Sequence, residues 1–173
     1  MITAKQLAII AILAKESLVT TYAPLLSKYM CEYEINNLYR KSAFLGTVIH
    51  ESGSFRYTKE IASGIAYEGR KDLGNIHAGD GVRFKGRGLI QLTGRYNYQQ
   101  ATKAFNVDFI SNPELMEQPE WATAVSCWWW ANRGLNAIAD TRDFRHVTRM
   151  VNGGYNGMVD RQKWYDRALK VLT

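Results

Sequence analysis

Cysteine is scarce in this chain of 173 residues: only Cys31 and Cys127 occur, far apart and in no C-x-x-C spacing. That excludes a disulfide framework and a cysteine zinc site, and both thiols are expected to be buried. The three histidines, His50, His77 and His146, stand too far apart for a helical metal motif, so neither metal nor cofactor is expected. There are only three prolines, and no repeat, low-complexity tract or Pro/Gly-rich linker divides the chain. Residues 1–173 therefore read as one domain without an appended binding module. The apolar run LAIIAILA is eight residues long, far short of a membrane span. Lys15-Glu16 follows it where a signal peptide would need small residues, so no export leader is expected. Blocks of five consecutive Lys or Arg are absent too, which excludes a basic nucleic-acid tail.

What is present is an ordinary globular composition, 46% hydrophobic and 22% charged. The length suffices for a core that needs no covalent staple. The net charge is +6 and the pI about 9.3. Such a balance favours an anionic partner, without saying which one.

Helical periodicity dominates the pattern. Ile2, Gln6, Ile9 and Leu13 line up on a buried first helix with a wide apolar face. Ile35, Leu38, Leu45 and Ile49 form the stripe of a helix of about four turns that ends near Gly53. A further helix starts at Pro119-Glu120 and runs through Trp128, Trp129 and Trp130 to Asn132. Three consecutive tryptophans cannot share one helix face, so at least one belongs in the core. Asp140 or Thr141 is placed to cap a helix carrying Phe144, Val147 and Val151, stopped by Gly153-Gly154. Trp164, Ala168 and Leu172 mark the last helix. Between Gly53 and Gly94 the pattern breaks into glycine-rich loops and a short hairpin. The scaffold reads as mainly α with an irregular middle lobe.

That middle region carries the chemistry-bearing residues. Glu51 and Glu60 are nine residues apart in HESGSFRYTKE, and KGRGLIQLTGRYNY follows. Cleavage of a glycosidic bond needs one acid for the leaving oxygen and one base for water, which paired carboxylates supply. Glu51 closes an amphipathic helix, rotated about 200° from its buried stripe, where an acid opposes the helix dipole. Glu60 would lie more than about 13 Å away were the helix to continue. Gly53 lets the chain turn instead. Glu68 and Asp72 in YEGRKDLGN compete for the second role, or else form an ion-pair loop with Arg70 and Lys71. The glycines at 79, 81, 86 and 88 do not make a phosphate loop, since no Lys-[Ser/Thr] follows them. Gln91 sits in a short strand, Leu89 to Leu92. Thr93 either serves the site or caps the next helix. Tyr96 and Asn97 suit sugar faces and hydroxyls, or pack a helix start.

These segments, together with VNGGYNGMVDRQKWYDRAL, resemble glycoside hydrolase family 19, and its bacteriophage endolysin branch more than the plant class I chitinases. The resemblance spans roughly Ser42 to Leu172. It implies a mainly α, lysozyme-like fold with a small β/loop lobe flanking the active-site cleft. It also implies Glu51 as general acid, Glu60 as general base and Thr93 as holder of the attacking water. Gln91, Tyr96 and Asn97 would bind sugar, while Asn152 and Arg161 would contact substrate and orient a carboxylate. The disulfide-bearing insertions of the plant enzymes are absent, and Leu89 stands where those enzymes have proline. The implied activity is inverting hydrolysis of peptidoglycan glycan strands, with chitin as the alternative substrate. The expected setting is a monomer made in a host cytoplasm and working on the periplasmic wall. Nucleic acid is not an expected partner; electrostatic contact with an anionic wall or lipopolysaccharide is.

Overall fold

The computed structural model describes residues 1–173, which fall into two compact units: Met1–Arg56 with Cys127–Thr173, and Tyr57–Ser126. The first unit is helical. Its helices are α1 (Ala4–Ile10), α2 (Glu16–Glu32), α3 (Leu38–Glu51), α7 (Leu135–Asp140), α8 (Phe144–Asn152) and α9 (Met158–Leu172). The second holds α4 (Asp80–Arg83) and α5 (Arg95–Phe105), and α6 (Pro119–Asn132) runs out of it into the first unit.

Local chemistry explains the boundaries. Thr3 and Gln6 form a reciprocal capping box at α1. The Asn37 side chain caps α3 by accepting from the Arg40 N–H at 2.9 Å. Asn37 and Arg40 both donate to Asp140 at the end of α7, Arg40 in a bidentate fork. Helix α3 stops at Glu51 because Gly53, Ser54 and Phe55 all take positive φ. Ser52 secures that turn: its hydroxyl donates to the Val48 carbonyl and accepts from the Phe55 N–H at 2.8 Å.

Helices α3 and α9 form the centre of the first unit. Gly46 permits their close approach, since a Cβ there would stand 3.0–3.1 Å from the backbone N, Cα and Cβ of Tyr165. Around them Phe44 meets Trp130 edge to face, Tyr22 stacks on Phe55 and Phe144 stacks on Tyr165. Of the three tryptophans in sequence, Trp130 is the fully buried one, and its indole N–H donates to Asn136.

Several expectations need correction. The first helix is short, ending at Ile10, and it buries Leu7 and Ile10 while Ile9, Ile12 and Leu13 face solvent. The chain gives way to a turn after Ile10, so no helical stripe reaches Leu13. Helix α2, which the apolar periodicity does not announce, holds Pro24 in its interior, where proline removes a backbone donor. Asp143, not Asp140 or Thr141, caps α8 by accepting from the His146 N–H at 2.9 Å. Cys127 is buried, and desolvation holds its thiol well above its usual pKa, but Cys31 is exposed.

The second unit has loops pinned at a few points in place of a hairpin. Its β-structure consists of two isolated antiparallel bridges, Lys59 with Arg87 and Arg87 with Leu92. Residues 89–91 form a turn and not a strand, with Gly88 and Gln91 at positive φ while the Arg87 and Leu92 backbones exchange both hydrogen bonds. Phe105, Phe109 and Trp121 pack edge to face as its aromatic core. Asp80, 1% exposed, receives both arms of Arg95 at 2.5 and 2.8 Å and the His77 N–H at 3.0 Å. The Arg95 bonds hold its carboxyl below the usual range against the opposing effect of burial.

Candidate active site

In the first unit, the last turn of α3 is fastened twice to the first turns of α9. Glu51 Oε1 accepts from the Arg161 guanidinium, which is itself 2% exposed, against 20% for the Glu51 side chain. Arg161 Nε also donates to the Asn156 carbonyl at 3.2 Å, and its remaining NH1 is buried without a partner. One residue earlier on each helix, His50 Nδ1 meets Asp160 Oδ2 at 2.7 Å, and the Trp164 indole N–H donates to the same oxygen at 2.9 Å. Burial pushes the Asp160 carboxyl up, but the bonds from His50 and Trp164 outweigh it and hold the group below its usual range. Facing an ionised Asp160, His50 carries its proton on Nδ1. Gly157, at positive φ, makes room for that imidazole: a Cβ there would lie 2.5 Å from the ring. Glu51 is thereby fixed by helix geometry as well as by its own bond. Asn152, by contrast, is exposed at the end of α8.

In the second unit, Glu60 is fixed from both oxygens. Oε1 accepts from the Tyr67 hydroxyl at 2.9 Å and Oε2 from the Gly86 N–H at 3.0 Å, while the Glu60 N–H donates to the Gly86 carbonyl at 2.9 Å. Gly86 has no room for a side chain, because a Cβ would sit 2.9 Å from Gln91 Oε1 and 3.2 Å from Glu60 Oε2. Gln91 therefore closes on the same spot as Glu60. From there a polar chain continues: the Thr93 hydroxyl donates to the Gln91 carbonyl at 2.9 Å, and Asn97 Nδ2 donates to the Thr93 carbonyl at 2.7 Å. Thr93 is not the helix cap; Gly94 holds that position without a side-chain bond. Tyr96 is 55% exposed on the first turn of α5, with its Cβ against Gly74.

A buried network backs this arrangement. Arg87 donates to Glu117 at 2.7 Å, to the Arg83 carbonyl at 2.8 Å and to the Tyr98 hydroxyl at 3.0 Å, and Tyr98 in turn donates to the Lys85 carbonyl. The segment around Gly86 is thus held from behind. Asn75 joins the loop to α5 by donating to the Tyr67 carbonyl and accepting from the Arg95 N–H.

The competing carboxylates have structural work. Glu68 spans the loop to accept from the Gly79 and Gly81 N–H groups at 2.6 and 2.8 Å, and Asp72 forms a forked pair with Arg70. Tyr67 escaped the sequence reading, since nothing marks a tyrosine seven residues after a glutamate as its partner. Burial and the Glu60 bond both raise its pKa, so the phenol remains a donor through the neutral range. No group of three or more His, Cys, Asp or Glu is close enough together to hold a metal ion.

Residues 42–141 match the sequence profile of glycosyl hydrolase family 19, described as chitinase class I. A glycosyl hydrolase family 19 domain-containing protein of Haemophilus influenzae is 34% identical over 112 residues, covering 65% of this chain and 54% of that protein. An endochitinase of Arabidopsis thaliana is 33% identical over 120 residues, covering 65% and 38% respectively. The matched part is about half of the length of the first of these relatives and less of the second. Among solved structures, chitinase C from Streptomyces griseus superposes with a TM-score of 0.76 at 22% identity, over 99% of this chain and 76% of that one. A bacterial family 19 chitinase gives 0.78 at 22% identity, over 99% and 94%. At such identity these structures establish the mainly α, lysozyme-like fold.

Proposed function

The chain belongs to glycoside hydrolase family 19, and from that premise we propose that it hydrolyses the β-1,4 links between N-acetylmuramic acid and N-acetylglucosamine in peptidoglycan, as a lytic enzyme of the bacteriophage endolysin kind. The reaction is a single displacement with inversion. Glu51 gives its proton to the glycosidic oxygen, Glu60 takes the proton of the attacking water, and Thr93 holds that water. Arg161 orients Glu51, and Gln91, Tyr96, Asn97 and Asn152 bind sugar. Residues 1–173 work as one monomeric catalytic domain, reaching the periplasmic wall after the host membrane is permeabilised.

The observation that carries this reading is the setting of Glu60. Two donors fix its carboxylate, and Gln91 and the Thr93 segment adjoin it, whereas Glu68 is consumed by backbone amides. A base must be held in place yet offer lone pairs to water, and a tyrosine with one backbone N–H leaves such lone pairs free. The net charge of +6 supports an acidic polymer as substrate. Hydrolysis of chitin is the second reading, favoured by relatives that are named endochitinases.

Mass analysis of soluble products from purified peptidoglycan tests the proposal. Fragments ending in hydrated, reducing N-acetylmuramic acid support it. Anhydro ends would reassign the chain to lytic transglycosylation, and cleavage confined to chitin oligomers would establish the second reading. Glu51→Gln and Glu60→Gln should each fold normally and lower the rate by about 10²–10⁴-fold. If Glu68→Gln alone were inactive, the base would be misassigned.

A further inference from the structure

Three large apolar side chains stand in solvent where α1 gives way to its turn: Ile9 is 44% exposed, Ile12 55% and Leu13 59%. Single exposed aliphatics are common, but three within five residues form a patch that water disfavours. Two arginines are fixed at this patch by their own hydrogen bonds. Arg167 Nε donates to the Ile9 carbonyl at 2.7 Å, and Arg56 NH2 reaches the Leu13 carbonyl at 3.4 Å. Their guanidinium groups therefore lie against the backbone of the residues whose side chains protrude. Lys5 is one turn before Ile9 on α1, Lys15 follows Leu13, and Lys170 shares a shallow hollow with Ile9 and Arg167. Glu16 and Asp166 are the acids nearby, so five cations face two acids.

We propose that this tip docks the protein onto an anionic phospholipid bilayer. Ile9, Ile12 and Leu13 enter the headgroup boundary while the surrounding arginines and lysines meet lipid phosphates. Apolar side chains ringed by long cations are what an interfacial anchor requires: the aliphatic part gains by leaving water and the cations stay at the phosphate level. A protein partner would suit an apolar patch free of lysine, the residue depleted in such interfaces, whereas Lys5, Lys15 and Lys170 stand around this one. Charge complementarity selects the lipid surface. No helix is long and apolar enough to cross a membrane, so the attachment is peripheral. It does not depend on the roles given to Glu51 and Glu60.

Sedimentation of the whole protein with vesicles tests this directly. Vesicles of phosphatidylcholine mixed with phosphatidylglycerol should bind it, phosphatidylcholine alone should bind it far less, and added salt should release it. The double variant Ile12→Ser with Leu13→Ser removes only exposed side chains and should melt as the parent does. It should bind the mixed vesicles at least about tenfold more weakly. Lys5→Gln with Lys170→Gln should weaken binding and flatten its salt dependence. Equal binding by the Ile12/Leu13 variant, or equal binding to both vesicle types, would overturn the proposal. So would a dimer in solution that the same variant abolishes, since a second copy would then cover the tip.

Discussion

Replacing Gly46 by alanine sets two effects of known size against each other. Glycine inside a helix is worse than alanine by about 0.5–1 kcal/mol, so propensity alone predicts stabilisation. Against that, the new Cβ would meet Tyr165 N, Cα and Cβ at 3.0–3.1 Å, and these are parts of α9 that no rotamer change can move aside. Overpacking of this kind costs about 1–3 kcal/mol, and contact with helix backbone puts Gly46→Ala in the upper part of that range. The expected net loss is about 1–2 kcal/mol, or about 2–8 °C in melting temperature for a chain of this size. Urea unfolding should show a lower midpoint at unchanged slope. Gly154→Ala, with nothing within 4 Å of its Cβ, is the control and should stay within about 0.5 kcal/mol. Since α9 carries Arg161 one turn before Tyr165, displacing it should also pull the guanidinium from Glu51 and lower glycan turnover about tenfold. A Gly46→Ala protein as stable as the parent would refute the reasoning, because helix propensity would then outweigh a contact that yields freely.

Tyr67→Phe takes one of two donors from Glu60; a bond to a charged acceptor that is partly exposed implies about a tenfold fall in kcat with little change in melting, and an unchanged kcat would separate Tyr67 from the chemistry. Asp80→Asn leaves the Arg95 fork without its counter-charge and should cost about 2–3 kcal/mol, read from urea midpoints. Because the Asp80 pKa is depressed on folding, its contribution is present above the ordinary aspartate value and fades as pH falls through the lowered one. The parent should thus lose stability below about pH 4 more steeply than this variant. At the alkaline end, burial raises Tyr22 and Tyr33 to about 12. Stability should hold to about pH 10 and then decline toward pH 12, as the unfolded chain releases tyrosine protons first. A urea midpoint that stays flat to pH 11.5 would contradict it.

Where periodicity was strong, the sequence announced the fold. Helices α3, α6, α8 and α9 lie where their apolar spacing puts them, although α3 begins after Ile35 and α8 is capped by Asp143, and the turn after Glu51 follows from Gly53. Helix α2 was hidden by Pro24, and the exposed half of α1 was concealed by a run too uniformly apolar to show which side faces inward. The loop lobe was legible as irregular but not in its fastening. That depends on Glu68 bonding to amides 11 and 13 residues away, and on Arg87 reaching Glu117, 30 residues on. Such partners leave no periodic trace. The same applies to the site. Residue types suggest Glu51, Glu60, Gln91 and Thr93 as candidates and only the family resemblance adds Arg161, while the bonds that Tyr67 and the Gly86 amide make to Glu60 depend on geometry that only the folded loop provides.

The contrast between the two thiols makes the native chain selectively addressable. Cys127 is sealed in α6 with its proton firmly held, whereas Cys31 stands in solvent at the end of α2. A maleimide dye or spin label should therefore attach at Cys31 alone, without any cysteine being engineered away. Adding Gln99→Cys on the exposed side of α5 would put a second probe in the other compact unit. Each label then reports on the environment of its own unit, recorded with and without a glycan oligomer, as a spectroscopic quantity.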